Sequence, residues 1–432
     1  MDHTPLDTLR ARVAPLSAIR PLGRVKRLDD GRLDLAGLSR AARLGEEVAL
    51  RGPGGARAEV VSIDADRVTA MPYGAMDGHG IGAAVELCGP PAIAPADTWL
   101  GRIVDPFGAP LDGRPLGRGA ARPIHADPPE AGRRAGFGDR LATGYTALDT
   151  LLPIVDGQRM GVFAGSGVGK SRLLGDLANR MEADVVVTAL VGERGREVSG
   201  FARDVLGADG MRRTVVVAAT SDRAANVRRR CVPAALAVAE HFRDRGAKVL
   251  FLCDSLTRHA ESCRDVAAAT GQRLDGGMPP GLTANLAALV ERTGPGSDGK
   301  PAITSVFTVL VAGSDMEGPV ADTVRGLIDG HVVLSRGIAE GGRYPAIDVL
   351  ASVSRSLPDC ATPEQNALLG QVRAAMETYR RNELMVTSGL YEKGRDPALD
   401  AAIRLRPALE AALSDRSGGV DDSFDRLRAA MT

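Results

Sequence analysis

Aromatic side chains are scarce in this chain: eight Phe, five Tyr and one Trp among 432 residues, 3% in all. Between Gly23 and Pro90 the only one is Tyr73, so that stretch offers no platform on which successive bases would stack, which argues against a nucleic-acid motor. Net charge is missing too. Lys and Arg together number 54, as do Asp and Glu, leaving no global field to recruit nucleic acid or a membrane surface. The five cysteines, Cys88, Cys231, Cys253, Cys263 and Cys360, have no Cys-x-x-Cys spacing, and the six histidines are scattered. That pattern excludes a structural zinc site and reads as reduced cytosolic thiols. No apolar run is long enough to span a bilayer, and the N-terminal residues carry Asp2 and Asp7 without the apolar core of an export signal. What is present, 44% hydrophobic and 25% charged residues, is the composition of a globular protein with room for two or three domains.

The patterning changes along the chain. Residues 1–20 set Leu6, Leu9, Val13, Leu16 and Ile19 among Arg10, Arg12 and Arg20, a helical stripe on a basic background suited to a partner. From 21 to 95, short alternating runs such as Arg32 to Leu35, Glu47 to Leu50, Glu59 to Ile63 and Arg67 to Met71 are separated by turn residues, which predicts a small β-barrel. A connector rich in Pro, Gly, Asp and Arg occupies 96–140 and opens a domain reaching 360. In it, Asp184 to Leu190, Thr214 to Ala219, Lys248 to Cys253, Ile303 to Val311 and His331 to Leu334 are continuous apolar runs between helical segments. Runs apolar on both faces predict an α/β fold with a parallel sheet covered by helices. Residues 361–432 read as a C-terminal helical domain.

One stretch organises the rest. Arg159 to Ala164 is a strand that runs into Gly165-Ser166-Gly167-Val168-Gly169-Lys170-Ser171 and then a helix. Three glycines let consecutive backbone N–H groups converge on an anion at the positive end of that helix. In such a P-loop (Walker A) the lysine, here Lys170, reaches the β- and γ-phosphates of ATP and the hydroxyl of Ser171 ligates Mg²⁺. The glycine that usually opens the motif is replaced by Ala164. Asp254 ends an apolar strand and would support the Mg²⁺ through water. Glu193 ends another, 23 residues after Lys170, which is room for one crossover helix, so it emerges at the same sheet edge as a candidate to polarise the attacking water. Arg194 is a candidate contact for the terminal phosphate. Arg196 and Glu197 read as an exposed helix start.

Phe163 to Ser171, Gly192 to Glu197, Asp254 to Arg258, Asp329 to Arg336, Tyr344 to Asp348 and Ser352 to Arg355 together resemble the type III protein-export ATPases, relatives of the rotary ATP synthase catalytic subunit, with the flagellum-specific branch nearest. The resemblance implies a cytoplasmic homohexamer, peripherally associated with a membrane export apparatus, that couples ATP hydrolysis to release or unfolding of cargo. It implies that Tyr344 stacks on adenine and that Arg355 is a finger reaching the neighbouring subunit's site. Implied partners are a stator-like regulator, a central stalk-like protein, the export gate, and export substrates with their chaperones; nucleic acid is not among them. An injectisome ATPase would use the same residues. A rotary synthase subunit is disfavoured by the wording of Gly195-Arg196-Glu197-Val198 and by the short C-terminal domain. A catalytically silent subunit would lack Glu193.

Overall fold

The computed structural model describes residues 20–29, 31–52, 55–311 and 316–432. The N-terminal apolar stripe therefore lies outside the described residues except for Arg20, whose guanidinium pairs with Glu86 at 2.7 Å.

The alternating segments close into a six-stranded barrel. Its strands run in the order Leu22–Asp29, Arg32–Ala36, Val68–Pro72, Arg57–Ile63, Glu47–Leu50, Ala84–Gly89. Every second residue turns inward, so Val25, Leu33, Leu35, Val48, Val60, Val68 and Val85 fill the interior while charged neighbours face outward, as a strand's two-residue period requires. Closure leaves no unpaired edge.

The apolar runs form an eight-stranded sheet. Its order is Ile347–Ser354, Gly330–Leu334, Arg159–Ala164, Ile303–Leu310, Val249–Asp254, Val185–Val191, Thr214–Ala219, Arg102–Val104. All neighbours are parallel except the first pair. Helix Ala225–Arg243 buries Val232, Ala235, Leu236 and Val238 against one face. Helix Lys170–Arg180 buries Leu173, Leu174 and Leu177 on the other, so the central strands need no polar face. The connector contributes Arg102–Val104 as the far edge strand.

The barrel is clamped to this core by polar contacts from one helix. Asn226 donates to the carbonyls of Met71 and Pro72, both at 3.0 Å, Arg229 pairs with Glu59, and Arg230 pairs with the buried Glu47. The C-terminal helices Pro363–Thr387, Pro397–Ser414 and Val420–Ala430 pack Leu369, Leu409 and Phe424 into the same apolar cluster as Leu148 and Val349. The buried Asp149 carboxylate ties them down, accepting from Thr143, Ser417 and Ser423. The first of these helices opens with a reciprocal cap between Thr362 and Gln365, which satisfies otherwise orphaned N–H groups. Among the described residues no helix is long and apolar enough to cross a membrane.

Candidate nucleotide site

Strand register decides which side chains meet. Ala164 pairs with Leu310, and Leu190 with Asp254, so the strands carrying the glycine turn, Asp254 and Glu193 all end at one edge of the sheet. Beyond Ala164 the chain turns sharply. Gly167 and Gly169 take φ of +81° and +91°, a left-handed conformation that costs a side-chain-bearing residue energy. Gly169 is also the residue before helix Lys170–Arg180, so the turn delivers free N–H groups to the helix's positive end. Gly165, Ser166 and Gly167 are accessible there, as is Ser171, whereas Val168 is buried beneath the turn and anchors it.

The Lys170 ammonium lies in an ion pair with Asp254, and Thr308 donates to the same carboxylate oxygen at 2.9 Å. Thr308 has no counterpart in the sequence reading. The available signal was the run of hydroxyls at Thr304, Ser305 and Thr308 inside an otherwise apolar strand, since a buried hydroxyl needs a partner. Thr257 is a second such residue: its hydroxyl accepts from the amide of Leu310 at 2.8 Å, tying the helix after Asp254 to the neighbouring strand.

Glu193 is half-buried at the end of its strand. Burial, a hydrogen bond with Glu197 and the charge of Asp254 push its carboxyl up to about 7, against the opposing pull of Lys170. Glu197 moves the other way, because Glu193 and Arg194 both donate to it. Arg196 and Glu197 do lie at a helix start, Gly195–Gly200, but Glu197 is not merely solvated: that first turn brings it back against Glu193. Arg194, expected to contact the terminal phosphate, is exposed and turned to Glu197 at 2.7 Å.

Tyr344 is 50% exposed, and its ring lies over the turn: a Cβ at Gly169 would sit 3.3 Å from it. Arg355 is not at this edge. Met160 pairs with Gly330 and Gly330 with Ser354. The amide of Arg355 donates to the carbonyl of Asp329, whose own amide donates to Arg159, each at 2.9 Å. Arg355 is thus level with Arg159, six residues before Gly165, or roughly 20 Å from the turn at the rise of a parallel strand. It lines a surface hollow with Asp322, Arg325 and His331.

Residues 144–354 match the ATP synthase alpha/beta family, nucleotide-binding domain, and residues 361–431 match the T3SS EscN ATPase C-terminal domain. The chain is 42% identical to the flagellum-specific ATP synthase of Caulobacter vibrioides, covering 97% of this chain and 98% of that one. It is 42% identical to the SPI-2 type 3 secretion system ATPase of Salmonella typhimurium over 88% of each. Among solved structures, the assembled ATPase EscN in complex with its central stalk EscO, from the enteropathogenic E. coli type III secretion system, is similar with a TM-score of 0.86 at 34% identity, covering 95% of this chain and all of that one.

Proposed function

From the premise that this chain belongs to the ATP synthase alpha/beta family, in its branch of flagellum-specific and type 3 secretion ATPases, we propose that it hydrolyses ATP, as a homohexameric ring, to drive flagellar type III protein export. The observation that carries the reading is the convergence of Lys170, Asp254, Thr308 and Glu193 at the mouth of a left-handed glycine turn.

In this account the backbone N–H groups from Gly165 to Gly169 cradle the phosphates, and Lys170 leaves Asp254 for the β,γ-bridge, where charge shifts during transfer. The accessible Ser171 hydroxyl and the Asp254 carboxylate are the oxygen donors a small hard cation requires, so they fit Mg²⁺, Ser171 directly and Asp254 through water. Held there, the ion would supply positive charge to the phosphate oxygens. Thr308 holds Asp254 in orientation. Glu193, with its carboxyl raised to about 7, accepts a proton from the attacking water in its ionised form, and Glu197 keeps it poised. Arg194, once freed from Glu197, contacts the terminal phosphate. Tyr344, already over Gly169, stacks on adenine. Arg355 lies too far from its own glycine turn to serve it and acts on the neighbouring subunit's nucleotide.

Export substrates with their chaperones, a stator-like regulator, a stalk-like protein in the ring's centre and the membrane export gate complete the proposed system, with the enzyme bound peripherally from the cytoplasmic side. An injectisome ATPase is the second reading, favoured by an equal identity to the SPI-2 enzyme. The test is phosphate release by the purified protein. Lys170→Ala should abolish it, and turnover within threefold of the parent would overturn the site. Glu193→Gln should keep binding of a fluorescent nucleotide and lose hydrolysis; lost binding would make Glu193 structural.

A further inference from the structure

The helix that follows Asp254, Leu256–Ala269, places His259 and Cys263 one turn apart on the same face. The Cys263 sulfur lies 3.6 Å from His259 Nε2, and that nitrogen is 2.9 Å from Asn285 Oδ1 on helix Leu282–Glu291. Because the amide oxygen only accepts, Nε2 carries a proton and donates it to Asn285, with the sulfur close beside it. His259 Nδ1 is buried without a partner. The three residues line a cavity of about 510 Å³ at the seam between the barrel and the nucleotide-binding core.

This thiol differs from the half-buried Cys88 and the buried Cys231 and Cys253. Burial raises Cys88, Cys231 and Cys253. At Cys263 burial works in the same direction, but the His259 imidazole and the Arg229 guanidinium outweigh it and the thiol moves down. His259 moves up, because the sulfur and Asn285 outweigh its own burial. The other charged or titratable groups facing this cavity are Glu59 and Tyr73 from the barrel, His125 from the connector, and Arg230. A low-pKa thiol beside a histidine is the setting of reactive cysteines.

We propose that Cys263, with His259 and Asn285, is a modification site for small peroxides, outside the nucleotide site and independent of it. The thiolate attacks one oxygen of the peroxide, an S–O bond forms and the O–O bond breaks. Sulfur is oxidised by two electrons to the sulfenic acid and the peroxide is reduced, its departing oxygen taking the Nε2 proton of the imidazolium to leave as water or an alcohol. Only a small oxidant suits the sulfur of a residue 8% exposed. Arg229 lines the same cavity and draws the thiol down, and its partner Glu59 belongs to the barrel, so a change of charge and size at the sulfur acts beside a contact that holds the two domains together.

The full-length protein, treated with substoichiometric hydrogen peroxide and a 1,3-diketone sulfenic-acid probe at pH 6 to 8, reports the site by peptide mass mapping. Cys263 should label at least tenfold faster than the more accessible Cys88 and Cys360, with a shallower rise with pH than theirs. His259→Gln should slow Cys263 tenfold or more and steepen its rise with pH, while Cys88 and Cys360 keep their rates. Asn285→Ala, which leaves both reacting side chains in place, should slow it less. Faster labelling of Cys88 or Cys360, or a Cys263 rate indifferent to both substitutions, would overturn the proposal.

Discussion

Moving the pH from 8 to 6 should cost this enzyme about tenfold in kcat/KM, and the cause lies in one carboxyl. The Glu193 carboxyl sits near 7 because burial, Glu197 and Asp254 together outweigh Lys170. A base with that pKa is about nine-tenths ionised at pH 8 and about one-tenth at pH 6, and kcat/KM follows the ionised fraction of the free enzyme. ATP itself titrates in this range, so the profile alone does not isolate Glu193. Glu197→Gln does. The amide lacks the charge that opposes ionisation of Glu193 and weakens the acceptor that holds its proton, and both changes lower the Glu193 pKa. The acid limb should therefore move to lower pH in the variant, while the limb contributed by ATP stays in place. The assay is initial-rate phosphate release at saturating Mg²⁺ and limiting ATP, every half unit from pH 5.5 to 8.5. A limb that stays fixed in Glu197→Gln, or that moves to higher pH, refutes the coupling of Glu193 to Glu197.

Tyr344→Ala should raise KM for ATP roughly 5- to 150-fold with kcat nearly unchanged, because stacking on a base is worth about 1–3 kcal/mol and is equal in the ground and transition states; a fall in kcat alone would contradict it. Gly169→Ala should impair nucleotide binding, since the new methyl meets the Tyr344 ring at 3.3 Å in a backbone conformation with φ of +91°; calorimetry with a non-hydrolysable analogue measures it. Glu240→Ala should destabilise the core by about 3–5 kcal/mol by stranding a buried cation, because Glu240 holds Arg292 by two bonds of 2.7 and 2.9 Å with both side chains under 10% exposed. Denaturant unfolding checks it, and a loss below about 1 kcal/mol, the level of a surface pair, would contradict it.

The parallel strands were legible because Val185–Val191, Thr214–Ala219 and Val249–Asp254 are apolar on both faces, a pattern few other elements share. The sheet's two edges were not. Ile347–Ser354 is half-exposed, alternating buried and accessible residues, and Arg102–Val104 is three residues long inside a Pro- and Gly-rich connector. Neither carries the continuous run that marks a central strand. In the barrel, Leu22–Asp29 and Ala84–Gly89 close the ring, but their inward residues are few and are diluted by Arg24, Lys26 and Glu86. At the site, the glycine turn, Lys170, Asp254 and Glu193 could be read from local sequence because each closes or closely follows a continuous apolar strand. Thr308 and Glu197 could not. Thr308 acts from mid-strand across to Asp254, and Glu197 depends on how one helical turn folds back on Glu193. Both are consequences of register and packing that a linear pattern does not encode.

The central claim is a catalytic site completed by a second copy of the chain, with Lys170 from one subunit and Arg355 from its neighbour. The most direct measurement mixes Lys170→Ala and Arg355→Ala subunits, each inactive alone, and follows phosphate release as mixed rings form. An arginine finger contributes roughly 10³ to 10⁵ in turnover, so recovery at an intact interface stands far above either background. Random assortment of equal amounts sets an intact Lys170 beside an intact Arg355 at about one interface in four of a closed ring, and activity should return to a comparable fraction of the parent's. Mixed rings that demonstrably assemble yet stay inactive, or Arg355→Ala subunits as active as the parent, would contradict the account.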